Sequence, residues 1–343
     1  GLEKVCGGLR PVAAGDVFRR MTGRLLARSA DAAIAEAVLQ ANRQVGVRLS
    51  SGAETLQLTA RMIAAGLSRD EVIMLLDYKN AFNTVSRQAF LDRIARHAPG
   101  LLPYAQAAYA GHTRLMFGHI TISSAAGAQQ GDPLGPLFFS LAAIDVREGA
   151  YAHAATHGHP GLEDKVLFEG AFLDDTSFGA KAAQARVLLD GFAGAAKACG
   201  LELNMNKTEV VFHPDASDAT KALFADVGKH RDSTDFKLLG GPCGSSPEAA
   251  SAFVREKCEN QERRIRLIGR IEHAQHAYAL LRFCTGQSLG NYYARAVGGA
   301  GTEGFEIIDH ATLAALHQFV PLDWEDATNT MRLEIQLPPR LGG

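Results

Sequence analysis

Three aspartates are the residues most able to do chemistry. Asp77 ends the apolar run Val72-Ile73-Met74-Leu75-Leu76. Asp174-Asp175 lies far downstream, inside Lys165 to Ala180, where apolar and polar residues alternate. The run reads as a strand buried on both faces, and the alternating segment as a β-hairpin with the paired acids at its turn. If these elements adjoin in one sheet, three carboxylates converge. Two like charges about 4 Å apart repel by about 4 kcal/mol at an effective dielectric of roughly 20, so such a cluster calls for cations. Hard oxygen donors suit Mg²⁺. A pair of such ions serves in-line displacement at phosphorus, one activating the attacking hydroxyl and the other steadying the leaving oxygen. A strand-end cap at Asp77 and an ordinary polar turn at 174–175 are the competing readings.

The surrounding chain has 343 residues, 47% hydrophobic and 21% charged. That profile excludes wholesale disorder, collagen and coiled coil, and a core can form without disulfide or metal staples. The longest apolar stretch, Pro133 to Ile144, is too short for a membrane span, and no signal peptide is visible. The chain starts at Gly1 without Met and stops at Gly343 after an apolar Leu-Pro pattern, so it reads as an excerpt of a longer protein. Cys6, Cys199, Cys243, Cys258 and Cys284 are scattered, with no CxxC, which argues against a disulfide framework or zinc finger. Net charge is −2, unevenly spread: +5 over residues 1–69, −6 over 70–254, +4 over 255–295 and −5 over 296–343. An acidic centre between basic flanks fits a metal site between polyanion-binding walls, although any soluble chain fluctuates in charge.

Periodicity predicts helices over Asp16–Arg28, Ala32–Asn42, Ala53–Ala65, Ser86–His97 and Lys181–Cys199. A further helix is expected with Asp132 as N-cap and Pro133 in its first position. Strands are expected over Leu201–Phe212 and Phe236–Leu239, and a long basic helix over Ala250–Ile268. His153, His157 and His159 read as a solvated Gly/Ala-rich loop rather than a zinc site, and His273 and His276 as ordinary helix residues. Nothing resembles a Ser-His-Asp triad, a P-loop or a dinucleotide fingerprint.

Taken together, the motifs resemble a known family. Asp77-Tyr78-Lys79-Asn80-Ala81-Phe82-Asn83-Thr84-Val85 resembles motif A of reverse transcriptases, and Gln130-Gly131-Asp132-Pro133-Leu134-Gly135-Pro136 resembles motif B. Phe172-Leu173-Asp174-Asp175 resembles motif C. Gly200 to Asn204 with Lys207-Thr208-Glu209 resembles motif D, and Phe236-Lys237-Leu238-Leu239-Gly240 motif E. All five occur in the family's order. Gly8 to Val12, Gln44 to Glu54 and Leu337 to Gly343 resemble further segments of the enzymes of non-LTR (LINE-type) retrotransposons. Asn83 stands where many relatives carry Asp, and Phe172-Leu173 replaces the better-known Tyr-Met.

The resemblance implies an α+β right-hand polymerase fold, with an antiparallel palm sheet backed by helices. Fingers would span 1–70, palm 71–240 with 99–129 returning to the fingers, and thumb and C-terminal connection 241–343. It implies an RNA-directed DNA polymerase that adds dNTPs to a primer 3′-hydroxyl on an RNA template. Asp77, Asp174 and Asp175 would bind two Mg²⁺ ions, with Mn²⁺ as a substitute. Lys207 would give a proton to pyrophosphate, or be an exposed hairpin lysine. Phe82 would act as the gate against a ribose 2′-hydroxyl, or be a core ring. Gln130 and Gly131 would contact the incoming nucleotide, and Arg10 would reach its triphosphate. Lys79 could do the same, or be solvated. Phe236, Lys237, Leu238, Leu239 and Gly240 would form a primer grip. Arg263, Arg264, Arg266 and Arg270 would follow duplex phosphates, unless pairs with Glu256, Glu259 and Glu262 simply solvate the helix. The implied protein is intracellular, and nuclear in a eukaryotic element; no membrane partner is expected, and oligomeric state is unspecified. The alternative is a catalytically silent, RNA-binding scaffold of the same fold.

Overall fold

The computed structural model describes residues 2–3, 9–10, 13, 15–117, 119–244, 246–285 and 287–319. The chain divides into two compact units, residues 1–245 and 246–343. The strands of the first unit are β1 (Leu2–Glu3), β2 (Leu9–Arg10), β3 (Glu71–Leu76), β4 (Thr113–Phe117), β5 (Ile120–Ser124), β6 (Phe168–Phe172), β7 (Asp175–Lys181), β8 (Glu209–Phe212), β9 (Lys229–Arg231), β10 (Phe236–Leu238) and β11 (Gly241–Cys243). Its helices are α1 (Val17–Leu26), α2 (Ala30–Ala41), α3 (Gly52–Ala65), α4 (Ala81–Thr84), α5 (Arg87–His97), α6 (Leu102–Tyr109), α7 (Gly135–Thr156), α8 (Ala182–Ala198) and α9 (Asp218–Ala222).

The main sheet has the order β6-β7-β3-β8-β9. β3 is central, antiparallel to β7 on one side and to β8 on the other. The sheet is antiparallel as expected except at its outer pair β8–β9, which is parallel. The reason is the connection: the chain crosses through α9 and re-enters the sheet from the same end.

The apolar run of β3 is buried on both faces, as its composition predicts. Val72, Met74 and Leu76 enter one core with Phe178, Val210 and Phe212, beneath Phe90 of α5, Phe138 and Leu141 of α7 and Leu188 and Phe192 of α8. Ile73 points the other way, into a second core with Phe168, Val211, Leu56 and Ala60 of α3, and Phe236 and Leu238. Each such side chain contributes roughly 1.5–3 kcal/mol of transfer free energy. The register of β3 is therefore fixed, because a one-residue slip would exchange the two faces.

Polar caps set several helix starts. Asp16, Ser29 and Ser86 accept from the backbone N–H three residues on, opening α1, α2 and α5. The expected cap at Asp132 is corrected: α7 begins at Gly135 with Leu134 as its N-cap and Pro136 in its first turn. Asp132 accepts from Leu134 N at 2.9 Å just ahead of the helix, and its carboxylate also enters a long-range ion pair, described below. The expected strand Leu201–Phe212 is regular only over Glu209–Phe212, because Lys207 and Thr208 fold back to donate to the Asn204 carbonyl at 2.9 and 2.8 Å. The expected His-rich loop is in part a helix end: His153 lies in the last turn of α7 and His157 is its C-cap, their rings stacked 3.9 Å apart.

The second unit contains α10 (Pro247–Ile268), α11 (Ala274–Leu280), α12 (Gln287–Val297) and α13 (Thr302–Phe319). Val254, Cys258, Gln261, Ile265 and Ile268 of α10 alternate at spacings of four and three along one buried stripe, in a unit whose core also takes Ile308, Ala311 and Ala315 of α13. Among the described residues no helix is long and apolar enough to cross a membrane.

Candidate active site

The ladder between β3 and β7 pairs Leu76 with Thr176. One step beyond the paired residues, Asp77 follows Leu76 and Asp175 precedes Thr176, so the register sets the two acids across from each other at the end of the sheet. Phe172 pairs with Asp175, which leaves Leu173 and Asp174 as the two-residue turn of the hairpin. Three acids remote in sequence thus share one end of the sheet. Their charges meet: partial desolvation first, then Asp174, then Asp77 push the Asp175 carboxyl up to about 6. Asp175 keeps an open surface, so solvent screens part of this repulsion. Among the described residues, no group of three or more His, Cys, Asp or Glu side chains is arranged as a metal-holding cluster. The donor chemistry suits a hard divalent cation, while the side chains are not closed into a chelate.

The end of β3 is held from the side by residues 202–208. The Asp77 carbonyl accepts from Asn204 N at 2.7 Å, its N–H donates to Thr208 Oγ1 at 3.4 Å, and Lys79 N donates to the Glu202 carbonyl at 2.8 Å. Lys207, next to Thr208, is exposed. Lys79 forms a surface ion pair with Glu202. The Tyr78 hydroxyl is pushed up mainly by burial.

Beyond Asn80, which adopts φ of +49°, the short helix α4 carries Phe82. Its half-buried ring stacks on Phe139 with centroids 4.4 Å apart and an interplanar angle of 19°. Loop 127–131 lies along this helix: Gly127 N donates to the Val85 carbonyl at 2.9 Å and Ala128 N to that of Phe82 at 2.8 Å. The structure therefore brings Phe82 near the loop that bears Gln130 and Gly131. Gln130 is half-buried and Gly131 exposed.

What anchors that loop was not legible beforehand. The buried Asp132 carboxylate accepts from Arg19 Nη2 at 2.8 Å, from the Tyr109 hydroxyl at 3.0 Å and from the Tyr104 hydroxyl at 3.2 Å. The Tyr109 oxygen in turn accepts from Gln129 N at 3.2 Å. Burial, and after it the charge of Asp132, pushes the Tyr104 hydroxyl up to about 12. Arg87 grips the loop from its other side, donating to the carbonyls of Gly127 at 3.1 Å and Ala126 at 3.2 Å. Arg19, Tyr109 and Arg87 carry no motif signal. Only their long-range contacts reveal them.

Phe236 and Leu238 are buried in the second core, on the opposite sheet face from Phe82, while Lys237 is exposed. Leu239 and Gly240 form the turn to β11, with φ of +49° and +79°. Left-handed backbone costs a leucine roughly 1–2 kcal/mol. A small cavity of about 30 Å³ lies under the acidic turn, lined by Tyr78, Phe139, Ser140, Asp174 and Thr176. That space admits a water or two and not a nucleotide.

In the second unit Arg263, Arg264, Arg266 and Arg270 are all exposed. Arg266 pairs with Glu262 at 2.7 Å and Arg255 with Glu259 at 3.2 Å, so part of the basic charge is balanced within α10. Of Arg10 only the backbone, in β2, is described; its side chain lies outside the described residues. So do most of Gly8 to Val12 and all of Leu337 to Gly343.

The chain is similar to apo telomerase from Candida tropicalis truncated from the C-terminal domain, at 12% identity over 64% of this chain and 44% of that one, with a TM-score of 0.37. It is also similar to telomerase from Candida albicans in complex with a TWJ fragment of telomeric RNA, at 10% identity over 94% of this chain and 56% of that one, with a TM-score of 0.39. The chain thus covers less than two thirds of either. No curated protein matches it in sequence. Residues 4–243 match the family model described as reverse transcriptase (RNA-dependent DNA polymerase). With most of its length matched, and with this mixed sheet backed by helices, the chain belongs to the reverse transcriptase family and has the right-hand polymerase fold.

Proposed function

We propose that the chain is the RNA-directed DNA polymerase of a non-LTR (LINE-type) retroelement, extending a DNA primer with dNTPs on an RNA template. The observation that carries this reading is the register that sets Asp77 across from Asp175, beside Asp174. Asp77, Asp174 and Asp175 are the residues that would hold divalent ions, Mg²⁺ or Mn²⁺. When bound, such ions supply Lewis acidity to the attacking hydroxyl and to the leaving phosphate oxygen. The chain's own part is placement and charge. The Phe82 ring, braced on Phe139, closes the space beside the sugar. Gln130 and Gly131 present the loop to the incoming nucleotide, Lys207 stands at the surface as a proton donor to the leaving pyrophosphate, and the 236–240 hairpin seats the primer end. Arg10 is assigned to the triphosphate by resemblance alone. Fingers 1–70, palm 71–240 with 99–129 returning to the fingers, and thumb 241–343 are the proposed divisions. The boundary between the two compact units, at residues 245 and 246, supports the last of them.

The test is extension of a DNA primer on an RNA template with Mg²⁺, comparing the native chain with Asp77→Ala and Asp174→Ala. Extension is expected to fall by roughly 100-fold or more in both variants while RNA binding persists. Unchanged extension would overturn the metal assignment. A native chain that binds RNA yet extends nothing with either ion would establish the silent scaffold instead.

A further inference from the structure

Two buried glutamines from the N-terminal part of the chain each grip the backbone of one turn. Gln44 is 3% exposed. Its Oε1 accepts from Leu173 N at 2.8 Å and from Gly46 N at 3.0 Å, and its Nε2 donates to the Leu173 carbonyl at 3.1 Å. Leu173 is the residue before Asp174 and has a φ of +58°. Flanking bonds press the same segment onto β6: Val45 N donates to the Ala171 carbonyl at 2.7 Å, and Ala171 N to that of Arg43 at 2.9 Å. The approach is so close that a Cβ on Gly46 would lie 2.5 Å from Leu173 N.

Gln57, on α3, is 2% exposed. Its Nε2 donates to the Leu238 carbonyl at 2.6 Å, at the mouth of the turn formed by Leu239 and Gly240. A Cβ on Gly241 would lie 2.0 Å from that nitrogen. Among the described residues the buried Gln57 Oε1 has no hydrogen-bond partner, so the Leu238 contact sets the amide's orientation.

A leucine at positive φ is opposed by its own Cβ and persists only where the surroundings over-determine it. A carboxamide suits the first turn because one planar group offers both the acceptor and the donor that the N–H and C=O of Leu173 require. A carboxylate offers acceptors only.

We infer that Gln44 and Gln57 are positioning residues. Gln44 fixes the Leu173–Asp174 turn, which carries one of the acids and leads directly into Asp175, and Gln57 fixes the Leu238–Gly241 turn of the primer-end hairpin. The kinetic consequences rest on the polymerase reading; the structural ones rest on the hydrogen bonds.

The experiment is hydrogen exchange on the full chain, paired with primer-extension kinetics, for Gln44→Met and Gln57→Met. Gln44→Met is expected to speed exchange at the Leu173 amide about tenfold while segment 236–243 stays within about twofold of native, and Gln57→Met to do the reverse. In kinetics, Gln44→Met should lower kcat about tenfold with the primer–template KM little changed, whereas Gln57→Met should raise that KM. Gln44→Glu adds a signature that general loosening lacks. Relative to native at each pH, its activity should recover from about pH 8 to about pH 6, because the protonated carboxyl regains a donor for Leu173. If Gln44→Met does not fold, Gln44→Asn, too short to reach Leu173, reads the same exchange. Unaltered exchange at Leu173 would overturn the inference whatever the native activity. A native chain with no extension would sink the polymerase reading and leave the exchange result to decide the clamps.

Discussion

Arg19 and Asp132 stand 113 residues apart in the chain and meet as a 2.8 Å ion pair, with the Asp132 side chain closed to solvent. The pair ties helix α1 to the loop that carries Gln130 and Gly131. Two tyrosine hydroxyls and the Leu134 N–H, at 2.9 Å, supply the carboxylate's other hydrogen bonds, so its charge is compensated where water cannot reach it.

Removing one partner of such a pair strands the other. Asp132→Ala is expected to cost about 3–5 kcal/mol of stability in urea unfolding, since Arg19 is left without its counter-charge. Adding Arg19→Met should recover part of that loss, because the half-buried cation then disappears with its buried partner. A cost under about 1 kcal/mol for Asp132→Ala would show that solvent replaces the pair.

The Asp175 carboxyl sits at about 6 in the folded chain against an ordinary value of 3.8. A raised acid holds its proton more tightly folded than unfolded. Its contribution to stability is therefore present below about pH 4 to 6 and is lost as pH rises through that window. Without divalent ions, the native melting temperature should fall across this range relative to that of Asp175→Asn, by an amount that solvent screening keeps small. Parallel native and variant curves would remove the proposed coupling to Asp174 and Asp77.

Phe82→Ala should raise ribonucleotide use over deoxyribonucleotide use by roughly tenfold, as loss of one steric contact does in a specificity pocket. It should also cost about 1–3 kcal/mol, because half a ring's burial and the stack on Phe139 are lost together. Single-nucleotide incorporation with matched dNTP and NTP pairs reads the first effect. An unchanged ratio with the stability loss intact would assign the ring to packing alone.

Among the described residues, the arginines of α10 divide into those that an acid balances and those that none does. Arg266 is engaged by Glu262, whereas the exposed Arg263 donates to the neutral Asn260 side chain and Arg264 faces solvent. Replacing Arg263 and Arg264 by Gln should lower the salt slope of duplex binding by about 2, near 0.9 per phosphate contact, while Arg266→Gln should change it less. Fluorescence anisotropy across a KCl series measures this. An unaltered slope would make this face of α10 merely solvated.

Much of the fold was legible because local physics dictates it. Five successive apolar residues before Asp77 could satisfy themselves only as a strand covered on both sides, and β3 is that strand. The 3.6-residue periodicity placed α1, α2 and α5 close to their observed limits, where the structure shows Asp and Ser caps. The ordered motifs named the family that the match over residues 4–243 shows. Local reasoning failed where a distant partner outbid a local one. Asp132 reads as a helix cap from its neighbours, yet the half-buried Arg19 and two tyrosines share its carboxylate with the local Leu134 N–H, and the helix starts later.

By itself, then, the sequence determined the buried strand before Asp77, several of the helices and which acids end up at strand ends, because burial and backbone hydrogen bonding act over a few residues. Only the tertiary structure decided that Asp77 stands across from Asp175, and that Gln44, Arg19 and Tyr109 hold the turns around them. Those contacts depend on which surfaces meet after collapse, and pairings across a hundred residues leave no periodic trace in the chain.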